Sequence, residues 1–260
     1  MKPKFSLITV CLNAESTIAD TLESVVMQTF TDFEHIIMDG GSNDKTLICI
    51  HDFMVSHPEY SNRVKLYEQS NSGMYQAINQ SIGLASGEYI GLLHADDMFR
   101  DKYAFESISQ ALTRDGIQGV YSNLVYVSKV NCDRTVRRWY AGQLNSRSLY
   151  LGWMLPHPTL YLSASLYSKI GFYREDLPIA ADYEFIIRLL MVVQRNDLCY
   201  LDQYTVAMRL GGVSNRLTSL ATIFVQDFAA LRMNGVGVLL SCWIVLVKKI
   251  RKLIQFFGIV

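Results

Sequence analysis

The sequence predicts an α/β fold with a mostly parallel central sheet, helices on both of its faces, and a helical tail at the C-terminal end. Three observations carry this. Over the first hundred residues, short apolar and β-branched runs alternate with segments whose apolar residues recur at helical spacing. Half of the 260 residues are apolar, enough to bury a substantial core in one large domain. Beyond Gly235 the chain changes character, with an almost wholly apolar run followed by a basic cluster.

The first run, Phe5 to Leu12, reads as a strand, and Ile18, Leu22, Val25 and Val26 then mark one face of a helix. Phe33 to Asp39 predicts a second strand, closed by the turn GGSND, with a helix from about Lys45. Val64 to Gln69 predicts a third strand, followed by a helix from Met74 to Ala85 with Met74, Ile78 and Ile82 on one face. A fourth strand, EYIGLLHADD, ends in the adjacent carboxylates Asp96 and Asp97. A helix to about Arg114 and a strand over Val120 to Val127 come next. An irregular basic and aromatic segment follows, then strand, helix and turn in HPTLYLSASLYSKIGFY. ADYEFIIRLLMVV predicts a helix striped by Phe185, Leu189 and Val192.

Composition narrows the partners. A formal net charge of zero and a pI near 6.9 remove the electrostatic case for nucleic acid. Basic residues cluster only locally, at Arg134 to Arg138 and Lys248 to Lys252. The five cysteines form no CxxC pair and no zinc-like spacing, which fits a reducing compartment. The N-terminus runs straight into a strand without a signal-peptide core, so a cytoplasmic address is expected. The apolar run from Gly235 to Val247 is shorter than the roughly 20 residues a membrane span needs. Beside Trp243 and the Lys248 to Lys252 cluster, it predicts a segment lying in the interface of an anionic leaflet. A helix packed on the core or on another subunit is the alternative.

In open α/β sheets, ligands bind beyond the carboxyl ends of the strands. Asn13, Asp39, the 71–73 stretch ending at Gly73, and Asp96 with Asp97 all lie there. Two adjacent carboxylates repel, and a hard divalent ion removes that cost; an acidic turn capping the next helix is the plainer account. Asp39 before Gly40 and Gly41 suits either a ligand contact or a turn. Asp182 opens an amphipathic helix, where a carboxylate favours the helix dipole or serves as a general base. Glu184, two positions on, reads as structural. His157, held between Pro156 and Pro158, and His94 are possible phosphate or metal contacts, while His35, His51 and His57 read as surface or structural. RLGGVSN places Arg209 beside a flexible glycine pair, a diphosphate contact or a plain turn.

Together these stretches resemble a family 2 glycosyltransferase with the GT-A fold. SLITVCLNAESTIADTLESVVMQTFTDFEHIIMDGGSNDKT is similar to that family's nucleotide-binding half, NSGMYQAINQSIGLASGEYIGLLHADD to its middle block, and HPTLYLSASLYSKIGFYREDLPIAADYEFIIRL to its acceptor-side block. The resemblance implies sugar transfer from a nucleotide-diphosphate donor, a UDP-sugar above all, with inversion at the anomeric carbon. By position, the backbone of Thr9 and Val10 would line the base pocket with Asn13 and Glu15 nearby, and Asp39 would bind the base. Gly73 falls in the nucleotide-sugar site. Asp96 and Asp97 would meet the ribose and a divalent metal, Mn²⁺ or Mg²⁺, and Asp182 would deprotonate the acceptor hydroxyl. The expected organisation is a transferase domain over 1–215, with a nucleotide-sugar half over 1–100 and an acceptor half over 101–215, and a helical, membrane-associating tail over 216–260.

The sequence departs from the family pattern in three places. His94 replaces the first Asp of the usual D-x-D-D, Gly40 replaces the second acid of the nucleotide turn, and Ala181 stands before the proposed base where Glu is common. The flavour of IMDGGS and AADYEF is nearest to enzymes of bacterial surface polysaccharide, whose acceptor is a glycan or lipid-linked glycan at the inner membrane surface. A nucleotidyltransferase would need a Gly-rich, basic signature after the first strand, and CLNAES has none. A non-catalytic nucleotide-sugar-binding protein would have no need of Asp96, Asp97 and Asp182 together.

Overall fold

The computed structural model describes residues 2–70, 73–145, 147–194, 196–211 and 220–256, with side chains of the last segment described over 221–251. Asn71, Ser72, the 212–215 part of the RLGGVSN motif and the final residues 257–260 therefore lie outside the described residues. Strand β1 (Phe5–Cys11) leads to α1 (Ile18–Val26), β2 (Phe33–Asp39), α2 (Thr46–Ser56), the short α3 (Pro58–Ser61), β3 (Val64–Glu68), α4 (Met74–Leu84) and β4 (Tyr89–Leu92). The second half comprises β5 (Met98–Phe99), α5 (Ala104–Ala111), β6 (Gly119–Val127), β7 (Thr135–Trp139), a 3-10 turn at His157–Thr159 and β8 (Tyr161–Ser163). Then come α6 (Ala164–Ile170), α7 (Ala181–Val192), β9 (Leu198–Arg209), α8 (Leu220–Met233) and α9 (Val238–Phe256).

One sheet runs β3-β2-β1-β4-β8-β6-β9-β5, with β7 paired to the free part of β6. The first four strands are parallel, as predicted. Beyond them β8 runs antiparallel to both β4 and β6, while β6 and β9 are parallel to each other. Strands buried on both faces must be apolar on both sides of the pleat. Along β1, Phe5 and Leu7 pack beneath α1 and α5 with Ile18, Leu22 and Phe105. Ile8 faces the opposite layer, with Ile78 of α4 and Phe185 of α7. Edge strand β3 is half exposed, so it carries Lys65 and Glu68 outward.

Three strands escape the sequence pattern, the two-residue β5 among them. β7 lies in the segment expected to be irregular, and β9 is long but carries Asp202 and Gln203 in its middle, which breaks the apolar alternation. The helical tail shares the main core: Ala230, Leu231, Val236, Ile244 and Val245 are buried with α7 residues. No helix among the described residues is long and apolar enough to cross a membrane.

Candidate active site

The loops after β1 and β2 are laced together at the carboxyl edge of the sheet. Asn13 takes the left-handed conformation (φ 51°) that Asn tolerates better than most residues. From there its N–H donates to Ser42 Oγ at 2.9 Å and its Oδ1 accepts from Asn43 N–H at 2.9 Å. Glu15 repeats the exchange: its N–H donates to Asp44 Oδ2 at 3.1 Å, and its Oε2 accepts from Lys45 N–H at 2.9 Å. Asp39 is buried and holds the turn from within. Its Oδ2 accepts the N–H groups of Gly41 and Ser42, and its Oδ1 accepts the Ser42 hydroxyl and the Cys11 thiol. Thr9 turns its side chain into the core, donating to Leu93 O at 2.7 Å and meeting buried His35 at 2.8 Å, so only its backbone lies toward the edge. Val10, half-buried, faces the α4 side. Gly73, at φ +126°, precedes α4 and accepts a bond from Gln69 Nε2 at 2.8 Å.

The structure separates the two carboxylates that the sequence pairs. Asp97 is 0% exposed and pins the turn to its back side: Oδ1 accepts the Arg209 N–H at 3.3 Å, and its backbone carbonyl accepts Thr21 Oγ1 at 2.8 Å. Burial, then the charge of Asp96, pushes its carboxyl well above the usual range, against the pull of Arg209. Asp97 thus points inward, on the opposite side of the turn from Asp96. The Arg209 guanidinium lies on Asp20 at 2.6 Å and on the Asp96 carbonyl at 3.2 Å. Asp96 is half-buried on the other side of the turn, and its carboxylate makes no hydrogen bond among the described residues.

Facing that side is a chain of three groups from distant parts of the sequence. His94 Nε2 lies 3.4 Å from His157 Nε2, and His157 Nδ1 lies 3.3 Å from Asp182 Oδ2. The 3-10 turn between the two prolines sets His157, and buried Thr159 ties that turn to β6 through Ser122. Asp182 sits in the first turn of α7, where its Oδ1 accepts the Tyr183 N–H at 2.7 Å. Burial raises the Asp182 carboxyl to about 6; Lys248 is the strongest opposing influence, followed by the Tyr183 N–H. Burial holds His157 down to about 4. Burial and His157 hold His94 to about 4 against Asp96 and Asp182. At neutral pH both rings are therefore uncharged and Asp182 is ionised. The Nε2 atoms of the two rings lie within hydrogen-bond reach, so one donates to the other, and His157 Nδ1 faces the Asp182 carboxylate. At 20% exposure the Asp182 carboxylate stays reachable.

Asp182 also opens onto a cavity of about 140 Å³ that sequence reasoning did not find. Its walls include Arg137, Trp139, Tyr140, Trp153, Asp227 and, from the tail, Lys248, Lys249 and Arg251. Asp227 of α8 is buried and serves both lysines, Lys248 at 2.9 Å and Lys249 at 3.5 Å. Lys248 also lies 3.2 Å from the centre of the Tyr183 ring. The seat of α9 is backbone on backbone: a Cβ on Gly152 (φ +61°) would fall 2.5 Å from Lys248 N and 3.0 Å from Ile244 O. Of the basic run expected to face lipid, Lys248 thus turns inward and Lys249 lies at the cavity mouth. The outward face of α9 is instead an apolar stripe of Leu239, Trp243, Leu246 and Ile250. Glu184, expected to be structural, is bidentate to Arg188.

Among the described residues, no three His, Cys, Asp or Glu side chains converge to form a preformed metal site. What the donor set offers is one hard oxygen ligand, Asp96, without an internal partner. That fits an ion of the Mg²⁺ or Mn²⁺ kind, which takes one or two carboxylates and completes its shell with substrate phosphates and water.

A curled mixed sheet flanked by helices, with ligand groups gathered at the carboxyl edge of its parallel half, is the architecture of GT-A glycosyltransferases. The chain belongs to glycosyl transferase family 2, whose pattern matches residues 6–173. It is 30% identical over 186 residues to the PGL/p-HBAD biosynthesis glycosyltransferase of Mycobacterium tuberculosis, covering 72% of this chain and 69% of the relative. It is 29% identical to chondroitin synthase of Escherichia coli over 76% of this chain but only 28% of that protein. Among solved structures, residues 1–349 of TarS from S. aureus in complex with UDP-GlcNAc superpose with a TM-score of 0.68 at 20% identity, over 88% of this chain and 66% of that one. Glucosyl-3-phosphoglycerate synthase from Mycobacterium tuberculosis, with Mn²⁺, UDP and phosphoglyceric acid, gives 0.62 at 17% identity, over 90% and 80%.

Proposed function

We propose that this family 2 glycosyltransferase moves a sugar from a UDP-sugar to a hydroxyl of a glycan or lipid-linked glycan, with inversion at the anomeric carbon, in the synthesis of a bacterial polysaccharide or glycoconjugate. The observation that carries the reading is Asp182: a reachable carboxylate with a pKa of about 6, between a neutral His157 and an open cavity. A base of that strength is ionised at neutral pH yet basic enough to take a hydroxyl proton as the bond to the sugar forms. His157, with Nδ1 3.3 Å from Asp182 Oδ2, helps orient the carboxylate, whose other lone pairs remain for the acceptor. The laced 11–15 and 40–46 loops support a preformed nucleoside pocket, in which the backbone of Thr9 and Val10 and the turn held by Asp39 meet the base.

Asp96 is the residue that would hold a divalent ion together with the donor diphosphate, and the ion supplies charge neutralisation for the leaving group. UDP and Mn²⁺ in complexes of the structural neighbours support this choice of donor and ion. The exposed stripe of Leu239, Trp243, Leu246 and Ile250 supports peripheral attachment to the cytoplasmic face of the inner membrane, where a lipid-linked acceptor would lie. Thermal shift with a panel of nucleotide sugars, with and without Mn²⁺, identifies the donor. Asp182→Asn then tests the base: transfer falls by about 10²–10⁴-fold while donor binding persists. Unchanged turnover in that variant sinks the assignment.

A further inference from the structure

The cavity beyond Asp182 has a charge that sugar hydroxyls alone do not call for. Its wall carries four cationic side chains, Arg137, Lys248, Lys249 and Arg251, against two carboxylates, Asp182 and Asp227. Asp227 cannot neutralise both lysines, because its Oδ1 takes Lys248 and only its Oδ2 is left for Lys249 at 3.5 Å. Arg251, on the exposed side of α9, donates to the Leu151 carbonyl at 3.4 Å, its one hydrogen bond among the described residues. Cations gathered in a concave, partly desolvated site attract an anion far more strongly than they would on an open surface. Among the described residues the cavity wall includes His157 and Asp182 but not Asp96, His94 or the 11–15 and 40–46 loops, which places the donor diphosphate elsewhere. The rest of the wall includes Trp139, Tyr140 and Trp153, whose rings suit the flat apolar face of a sugar ring.

We infer that the acceptor is anionic, bearing a phosphate or carboxylate next to the sugar whose hydroxyl reaches Asp182, and that Lys249 and Arg251 of the C-terminal helix bind that group. This rests on the reading of Asp182 as the base facing the acceptor. Placement accounts for the division of labour. Lys248 is drawn inward to Asp227, whereas Lys249 and Arg251 keep solvent-accessible charge at the mouth. The tail thereby selects the acceptor, and the parallel half of the sheet selects the donor.

Calorimetric titration of the full chain with four probes tests this: glucose 1-phosphate, glucuronate, farnesyl phosphate and uncharged methyl glucoside. Glucose 1-phosphate or glucuronate should bind at least tenfold more tightly than methyl glucoside, with affinity falling as salt rises. Farnesyl phosphate binding tighter than both would assign the charge to a lipid-borne phosphate; weaker binding would assign it to a soluble or glycan-borne group. Lys249→Gln with Arg251→Gln should erase the preference for charged probes, with melting temperature reporting that the variant folds. Arg251→Gln alone, at an exposed position, should reduce it severalfold. Equal binding of charged and uncharged probes by the wild type, or an undiminished preference in the folded double variant, overturns the inference. The wild-type response to UDP-sugars is read in the same instrument. Donor binding without anion preference defeats the acceptor inference alone; anion preference without donor binding defeats the transferase reading alone.

Discussion

Lys248 is the strongest influence holding the Asp182 carboxyl down, so its removal should appear as a displaced pH profile. In the wild type, a base with a pKa of about 6 makes kcat rise with pH and level off above neutrality. The sign follows from the chemistry. Asp182 must be ionised to accept a proton, so activity is lost as pH falls through 6. Lys248→Met deletes the ammonium, and the carboxyl should rise further, by about one unit, which corresponds to roughly 1.4 kcal/mol. At pH 6 the ionised fraction then drops from about one half to about one tenth, a loss near fivefold, while at pH 8 it stays above about nine tenths. The assay is UDP release at saturating donor and acceptor between pH 5 and 8.5. Lys248→Arg keeps the charge and should restore the wild-type limb. An acid limb that does not move in Lys248→Met, or a loss of the same size at every pH, refutes the coupling.

The separation of the two adjacent carboxylates is testable on the donor side: Asp96→Ala should abolish the Mn²⁺-dependent thermal shift caused by a UDP-sugar. Asp97→Asn, replacing a buried acid with its near-isostere, should change donor affinity less than about twofold, whereas Asp97→Ala should cost about 1–3 kcal/mol in urea unfolding by stranding the Arg209 N–H. Glu34 is buried, yet bonds to Lys65, Ser6 and Ser86 outweigh burial and hold its pKa at about 2, below the ordinary 4.5. Its contribution, on the order of 3 kcal/mol, is present above pH 4.5 and lost as pH falls toward 2; Glu34→Gln should flatten that acid loss in unfolding titrations. Trp243→Glu together with Leu239→Glu should release the protein from anionic vesicles in a flotation assay, and undiminished binding would reject the α9 stripe as a lipid contact.

The first four strands and their helices were legible because each carries a complete local pattern, such as the Phe5–Cys11 run or the Ile18, Leu22, Val25 face. β9 was not, because its pairing with β6 is long-range and its polar centre is tolerated only where Asp202 bonds Asn123 and Tyr200. Asp182 and the two histidines were visible as candidates, but their union spans residues 94, 157 and 182 and depends on how β4, the prolyl turn and α7 meet. Asp96 and Asp97 are neighbours whose side chains diverge at a turn, and spacing carries no information about which one faces inward. The basic clusters at 134–138 and 248–252 each looked like surface charge. Only the folded chain joins Arg137 with Lys248, Lys249 and Arg251 around one cavity.

Gly152 gives the tail helix a seat made of main chain alone, with Lys248 N and Ile244 O as its counterparts. Such a seat is indifferent to which side chains the helix displays. Substitutions at positions 249 and 251 can then change what the cavity admits without moving the wall that bears them, provided position 152 stays bare. Descendants of this chain could diverge in what they glycosylate through a handful of tail mutations, with the donor machinery untouched and a single glycine as the condition.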